Sequence, residues 1–148
     1  MYEIAQIIDF LNPIQNHVVN PSSSIDSLAY DSRKLHAGQR GLFFALKGQQ
    51  DGHKYVADAY RKGVRNFVLS DLNFDISAYT GANFIWVKDT VRALQHVAAM
   101  HRSHIHIPVL GITGSNGKTI VKEWLAQLLK ADKKVYQSPK SYNSQIGV

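Results

Sequence analysis

The run from Val109 to Lys130, VLGITGSNGKTIVKEWLAQLLK, holds the residue types and spacing best suited to chemistry. An apolar segment enters a glycine-rich turn, and Lys118-Thr119 open an amphipathic helix. Such a turn exposes successive backbone N–H groups at a helix N-terminus, where the dipole favours negative charge. Lys118 adds a point charge for a phosphate chain, and Thr119 a hydroxyl for Mg²⁺. Gly114, Ser115, Asn116, Gly117, Lys118 and Thr119 therefore read as a loop for a nucleoside triphosphate. The general G-x-x-x-x-G-K-[ST] pattern wants glycine where Ile112 stands, so this is a shorter form, Thr113–Thr119. A helix N-cap with spare glycines is the alternative. It leaves Lys118 unexplained in a first turn where a cation opposes the dipole.

The elements that must position this loop are legible around it. Val109–Thr113 is expected as a strand and about Lys118 to Ala131 as a helix, with a last strand at Val135-Tyr136. Upstream, Ile4, Ile7, Ile8 and Leu11 have helical spacing, closed by Asn12-Pro13. Asn20–Ser24 reads as a loop, and Leu28–Tyr30 as a short strand ending at Asp31-Ser32-Arg33. Gly41–Leu46 is a buried apolar strand, followed by the glycine-punctuated loop Lys47–Lys54 and a helix over Tyr55–Lys62 that stops at Gly63. Asn66–Ser70 and Phe84–Val87 are further strands. Asp89 or Thr90 caps a helix whose Val91, Leu94, Val97 and Ala98 face inward. Alternating strands and helices imply an α/β fold with a largely parallel sheet.

At 148 residues, with 45% hydrophobic and 19% charged side chains, the chain is globular in character, with room for one ordinary domain or two small ones. Its net charge of +6 is uneven. Six lysines against Glu123 and Asp132 lie after residue 104, beside the phosphate loop, as an anionic ligand would want. No run of basic residues interleaved with aromatics supports nucleic-acid binding. Without cysteine there is neither a disulfide nor Cys-ligated zinc. The amphipathic N-terminus is not a signal peptide, no segment approaches the ~20 apolar residues that span a bilayer, and cytoplasm is the expected location.

Four segments in order, YDSRKLHAGQRGLFFALKGQQDGH (Tyr30–His53), VKDT (Val87–Thr90), TGSNGKTIVKE (Thr113–Glu123) and NSQIGV (Asn143–Val148), resemble the Mur ligase family of peptidoglycan synthesis. The VKE after the loop looks like the branch that adds D-alanyl-D-alanine. Ile120, Trp124 and Ser144 depart from the family's usual residues. The resemblance implies a small N-terminal domain with a mixed or parallel sheet, residues 1–88, which binds the UDP part of the substrate. Residues 89–148 would begin a central P-loop ATPase domain with a parallel sheet of its own. It further implies ATP and Mg²⁺ as cofactors, UDP-N-acetylmuramoyl-tripeptide and D-alanyl-D-alanine as partners, and an acyl phosphate as intermediate. Lys118 would be the catalytic cation on the β/γ-phosphates and Thr119 the metal ligand. Ser32, Arg33, Phe44, Ala45, Gly48, Asp51, Gly52 and His53 would hold the uridine diphosphate, and Asn143 would help shape the central site.

Spacing alone gives plainer readings of several of these residues. Asp31–Arg33 is then a strand-end turn with a surface ion pair, and Gly48 and Gly52 are ordinary loop formers. His53 is a hydrogen-bonding loop anchor rather than a catalyst, and Asn143 belongs equally to a strand-end turn. His101, His104 and His106 have loosely metal-like spacing but no fourth ligand nearby, and read as a solvated helix end. One strand–loop–helix–strand unit cannot cover both faces of a parallel nucleotide-binding sheet. The expectation is thus the N-terminal part of a longer enzyme, inactive by itself and prone to self-association through exposed apolar strand surface. Other classes remain as alternatives: another amino-acid-adding member of the family, an unrelated P-loop kinase or GTPase, or a basic nucleic-acid-binding module.

Overall fold

The structure is a computed structural model that describes residues 1–36, 39–48 and 50–139. Asn143 and the NSQIGV segment lie outside the described residues. The chain divides into two compact units, Met1–His104 and Ile105–Val148.

The first unit is built on a five-stranded sheet in the order β2-β7-β6-β5-β4, where β2 is Gln15–His17, β4 Ser27–Ala29, β5 Gly41–Phe44, β6 Asn66–Leu69 and β7 Asn83–Trp86. β4, β5, β6 and β7 are mutually parallel, and β2 joins β7 antiparallel. A two-stranded ribbon pairs β1 (Tyr2–Glu3) with β3 (Ser24–Ile25). Alternation along β5, β6 and β7 sends side chains to two separate cores. Leu42, Phe44, Val68 and Ile85 meet Ile4 and Ile7 of α1 (Ile4–Leu11) and Ala93, Leu94 and Val97 of α3 (Thr90–Ser103) on one face. Phe43, Phe67, Leu69, Phe84 and Trp86 meet Val56 and Ala59 of α2 (Val56–Arg61) and the aromatic segment 74–79 on the other. A sheet covered on both faces explains why its central strands are apolar throughout. Phe67 and Phe84 stack with ring centroids 5.2 Å apart.

A buried amide and a helix cap fix two positions. Asn83, almost wholly buried, donates to Asn66 Oδ1 (2.7 Å) and to Asn20 O (3.0 Å), and its own oxygen accepts from the N–H groups of Val19 and Asn20. Every polar atom of that amide is thereby matched, as burial demands. α1 opens with a capping box between Glu3 and Gln6.

The structure corrects several expectations. The division falls after His104 rather than after residue 88, because α3 buries Ala93, Leu94 and Val97 in the first unit's core. Asp89 is the α3 cap, accepting from Val91 N and Arg92 N, and Ala93 faces inward where Ala98 was expected. In the second unit α4 spans Lys118–Leu129, but Val109–Thr113 and Val135-Tyr136 form no strand. A strand exists by its ladder, and among the described residues neither segment has a partner. Among the described residues, no parallel sheet is formed around the phosphate loop.

Truncating Phe67, which fills the layer between β5, β7 and α2, should cost about 3–5 kcal/mol. Urea titration of Phe67→Ala against the wild-type chain checks this.

Candidate functional site

The carboxyl ends of β4, β5, β6 and β7 lie along one edge of the sheet, where parallel α/β sheets bind ligands. Most residues singled out in the first unit gather there. Gly52 N donates to Leu46 O at 2.8 Å, drawing the loop after β5 back against the strand end. A Cβ at Gly52 would stand 2.5 Å from Leu46 N and 2.7 Å from the carbonyl carbon of Ala45, so only glycine fits. His53, buried, is held at both ring nitrogens. Nε2 accepts from Ser70 N (3.1 Å) and Asp71 N (3.2 Å), which leaves the ring proton on Nδ1, 2.6 Å from Asp51 Oδ1. Asp51 also accepts from His53 N. The imidazole hydrogen bond, backed by that N–H, holds the Asp51 carboxyl below its ordinary range. His53 is thus an anchor joining the loops after β5 and β6, with an acidic partner two residues away that the spacing argument overlooked. Thr90 closes the cluster, its buried hydroxyl donating to Ala45 O at 3.2 Å.

Phe44 stands apart from this group. Its side chain is fully buried against α1 and α3 and can meet a ligand only through its backbone. Gly48 lies in open space, with nothing near the position of a Cβ.

The 3-10 turn Ser32–Lys34 follows β4 at the same edge. Ser32 is 3% exposed and faces into the fold, and its neighbourhood holds the Asp58 carboxyl below its ordinary range. The Ser32 carbonyl accepts from Lys62 Nζ at 2.7 Å. Arg33 instead points outward. Its side chain is 86% exposed, and Nε and Nη2 grip the two oxygens of Asp31 at 2.9 and 3.0 Å. Nη1 has no acceptor among the described residues, so the guanidinium keeps an open edge. Sequence reasoning missed Asp58, Lys62 and Thr90. Their signals were an i,i+4 acid–base pair on α2 and the threonine of VKDT.

In the second unit, Gly114 (φ +147°) and Gly117 (φ +76°) take backbone conformations that favour glycine. Gly117 begins α4 with no side-chain cap, and nothing occupies the space beside it. Lys118 Nζ folds back to donate to the carbonyls of Gly114 and Ser115. An uncapped helix N-terminus, open space at Gly117 and a cation within the loop fit the tail of a triphosphate. The α3 end is otherwise occupied: His101 Nδ1 lies 3.1 Å from Tyr2 Oη, and His104 Nδ1 donates to Met100 O.

No protein-family model matches the chain. A curated UDP-N-acetylmuramoyl-tripeptide–D-alanyl-D-alanine ligase from Synechocystis is 37% identical over 142 residues, 94% of this chain and 30% of that protein. The chain belongs to the Mur ligase family. A second Mur ligase, the UDP-N-acetylmuramoyl-L-alanyl-D-glutamate–2,6-diaminopimelate ligase of Clostridioides difficile, is 39% identical over a shorter 112 residues, 74% of this chain and 22% of that protein. Among solved structures, MurF from Acinetobacter baumannii matches with a TM-score of 0.82 and 26% identity, covering 99% of this chain and 31% of that one. This Mur ligase chain therefore spans about 30% of the length of the curated D-alanyl-D-alanine ligase it matches.

Gly52→Ala should cost about 1–3 kcal/mol, since the added methyl meets backbone that cannot swing away; chemical denaturation reads the loss. For Asp51 the folded-state carboxyl is more acidic than the unfolded one, so its ionised form stabilises the fold above pH ~4 and that contribution fades as pH falls further. The stability gap between wild type and Asp51→Asn, measured from pH 7 down to 3, should accordingly narrow at the acid end.

Proposed function

We propose that this chain is the uridine-nucleotide-binding domain and phosphate loop of an ATP-dependent ligase that joins D-alanyl-D-alanine to UDP-N-acetylmuramoyl-tripeptide in the cytoplasm. The observation that carries the reading is the joint presence, in one chain, of interlocked loops on a parallel sheet edge and a glycine loop opening α4. It is supported by the alignment to D-alanyl-D-alanine ligases, over 94% and 91% of this chain. Met1–His104 would serve the UDP moiety and Ile105–Val148 would open the ATPase domain.

The reaction needs such parts. A carboxylate does not condense with an amine unaided, so the peptide carboxylate is first phosphorylated and the dipeptide amine then displaces phosphate from the acyl phosphate. Phosphoryl transfer asks the protein mainly for positioning and charge neutralisation. The backbone N–H groups of residues 114–119 would cradle the phosphate tail. Lys118, released from the Gly114 and Ser115 carbonyls, would neutralise charge between the β- and γ-phosphates. Thr119 would hold Mg²⁺, which spreads the same negative charge. On the substrate side, Arg33 would turn its open edge to the diphosphate, and Ala45 and Asp51–His53 would shape the wall beside the nucleoside.

Calorimetry on the 148-residue chain tests the reading. Weak binding of UDP-N-acetylmuramoyl-tripeptide is expected, with UMP weaker, poly-dT inert and ATP not hydrolysed. A preference for poly-dT would overturn it. In the complete enzyme, Lys118→Met should lower kcat by about 10²–10³-fold. Ile107, Leu110, Ile120, Trp124 and Leu128 are exposed on the second unit and support self-association of the isolated chain, which light scattering at rising concentration should register.

A further inference from the structure

We infer that Asp58 of α2 and Lys62 at its C-cap are positioning residues for the diphosphate-binding turn, locking Ser32 inward so that Arg33 rather than Ser32 is offered to the ligand. This rests on the substrate reading above. Ser32–Lys34 is a turn of three residues, closed locally by Lys34 N to Asp31 O, Leu35 N to Ser32 O and the Asp31 carboxylate on Arg33 N. A further hold on it comes from the C-terminal end of α2. Lys62 Nζ donates to Ser32 O at 2.7 Å and sits 3.4 Å from Asp58 Oδ2, so the cation bridges the turn carbonyl and the helix carboxylate. Asp58 also has Arg61 Nη2 at 3.7 Å from its other oxygen, so its carboxylate is held from two sides while Lys62 reaches the turn. The i,i+4 spacing sets both side chains on one face of the helix, with the cation at its C-terminal end, where the dipole favours it.

The outward half of the turn is different. Arg33 contacts Asp31 and is otherwise exposed, so displacing it costs the fold little. A ligand diphosphate would feel that displacement directly, since a charge-assisted contact depends on the guanidinium standing at hydrogen-bonding distance. The clamp and the contact residue are adjacent in sequence but face opposite ways, which separates holding from binding.

Lys62→Met should weaken binding of UDP-N-acetylmuramoyl-tripeptide by about tenfold, as loss of one charge-assisted bond predicts. The melting temperature should move by only a few degrees, and Lys62→Arg should bring affinity back to within about threefold of wild type. In an Arg33→Gln background the same Lys62→Met change should add nothing, because the two act as one unit. Hydrogen exchange at the Lys34 and Leu35 amides should quicken in Lys62→Met and in Asp58→Asn without any ligand present. Additive losses in the Arg33→Gln background, or unchanged exchange at those amides, would overturn the clamp. Failure of the wild-type chain to bind the UDP-substrate would instead overturn the substrate reading, and the exchange measurement tells the two failures apart.

Discussion

The imidazole of His53 is the tie on which the carboxyl edge depends. Parallel strands end with unpaired amides and carbonyls that the ladder cannot satisfy. Here Ser70 N and Asp71 N, just past β6, find their acceptor in a side chain carried by the neighbouring loop. That ring is aimed by Asp51, and the loop can reach so far only because Gly52 lacks a Cβ. One residue triplet thus converts two separate strand ends into one surface. The Thr90 hydroxyl on Ala45 O extends the same arrangement to the start of α3.

The strands that sequence made legible are those buried on both faces. GLFF, NFVL and NFIW are short apolar runs bounded by turn residues, and they become β5, β6 and β7. β2 was illegible for the opposite reason: Gln15, Asn16 and His17 are polar and exposed, and only pairing with β7 makes them a strand. The converse error occurred at Val109–Thr113, whose apolar run suits a strand but has no partner among the described residues. Composition speaks to burial, whereas a ladder depends on what lies alongside.

For the candidate site, residue identity was readable and direction was not. Asp51, Gly52 and His53 were named from the family pattern, yet nothing in their order says that the histidine's ring would be filled on both sides. Ser32 and Arg33 are neighbours of similar promise, and the fold sends one inward and the other out. That choice is made by Asp58 and Lys62, far along the chain, so no local reading could have found it.

The two tryptophans fall one to each unit and into opposite surroundings. Trp86 is 3% exposed, its indole N–H bonded to Asp71 O beside the His53 tie, whereas Trp124 on α4 is 65% exposed. Indole emission shifts toward the blue in dry surroundings and toward the red in water. The molecule therefore carries two built-in optical labels, one on the sheet edge and one on the helix behind the glycine loop, separable by colour and by access to a soluble quencher.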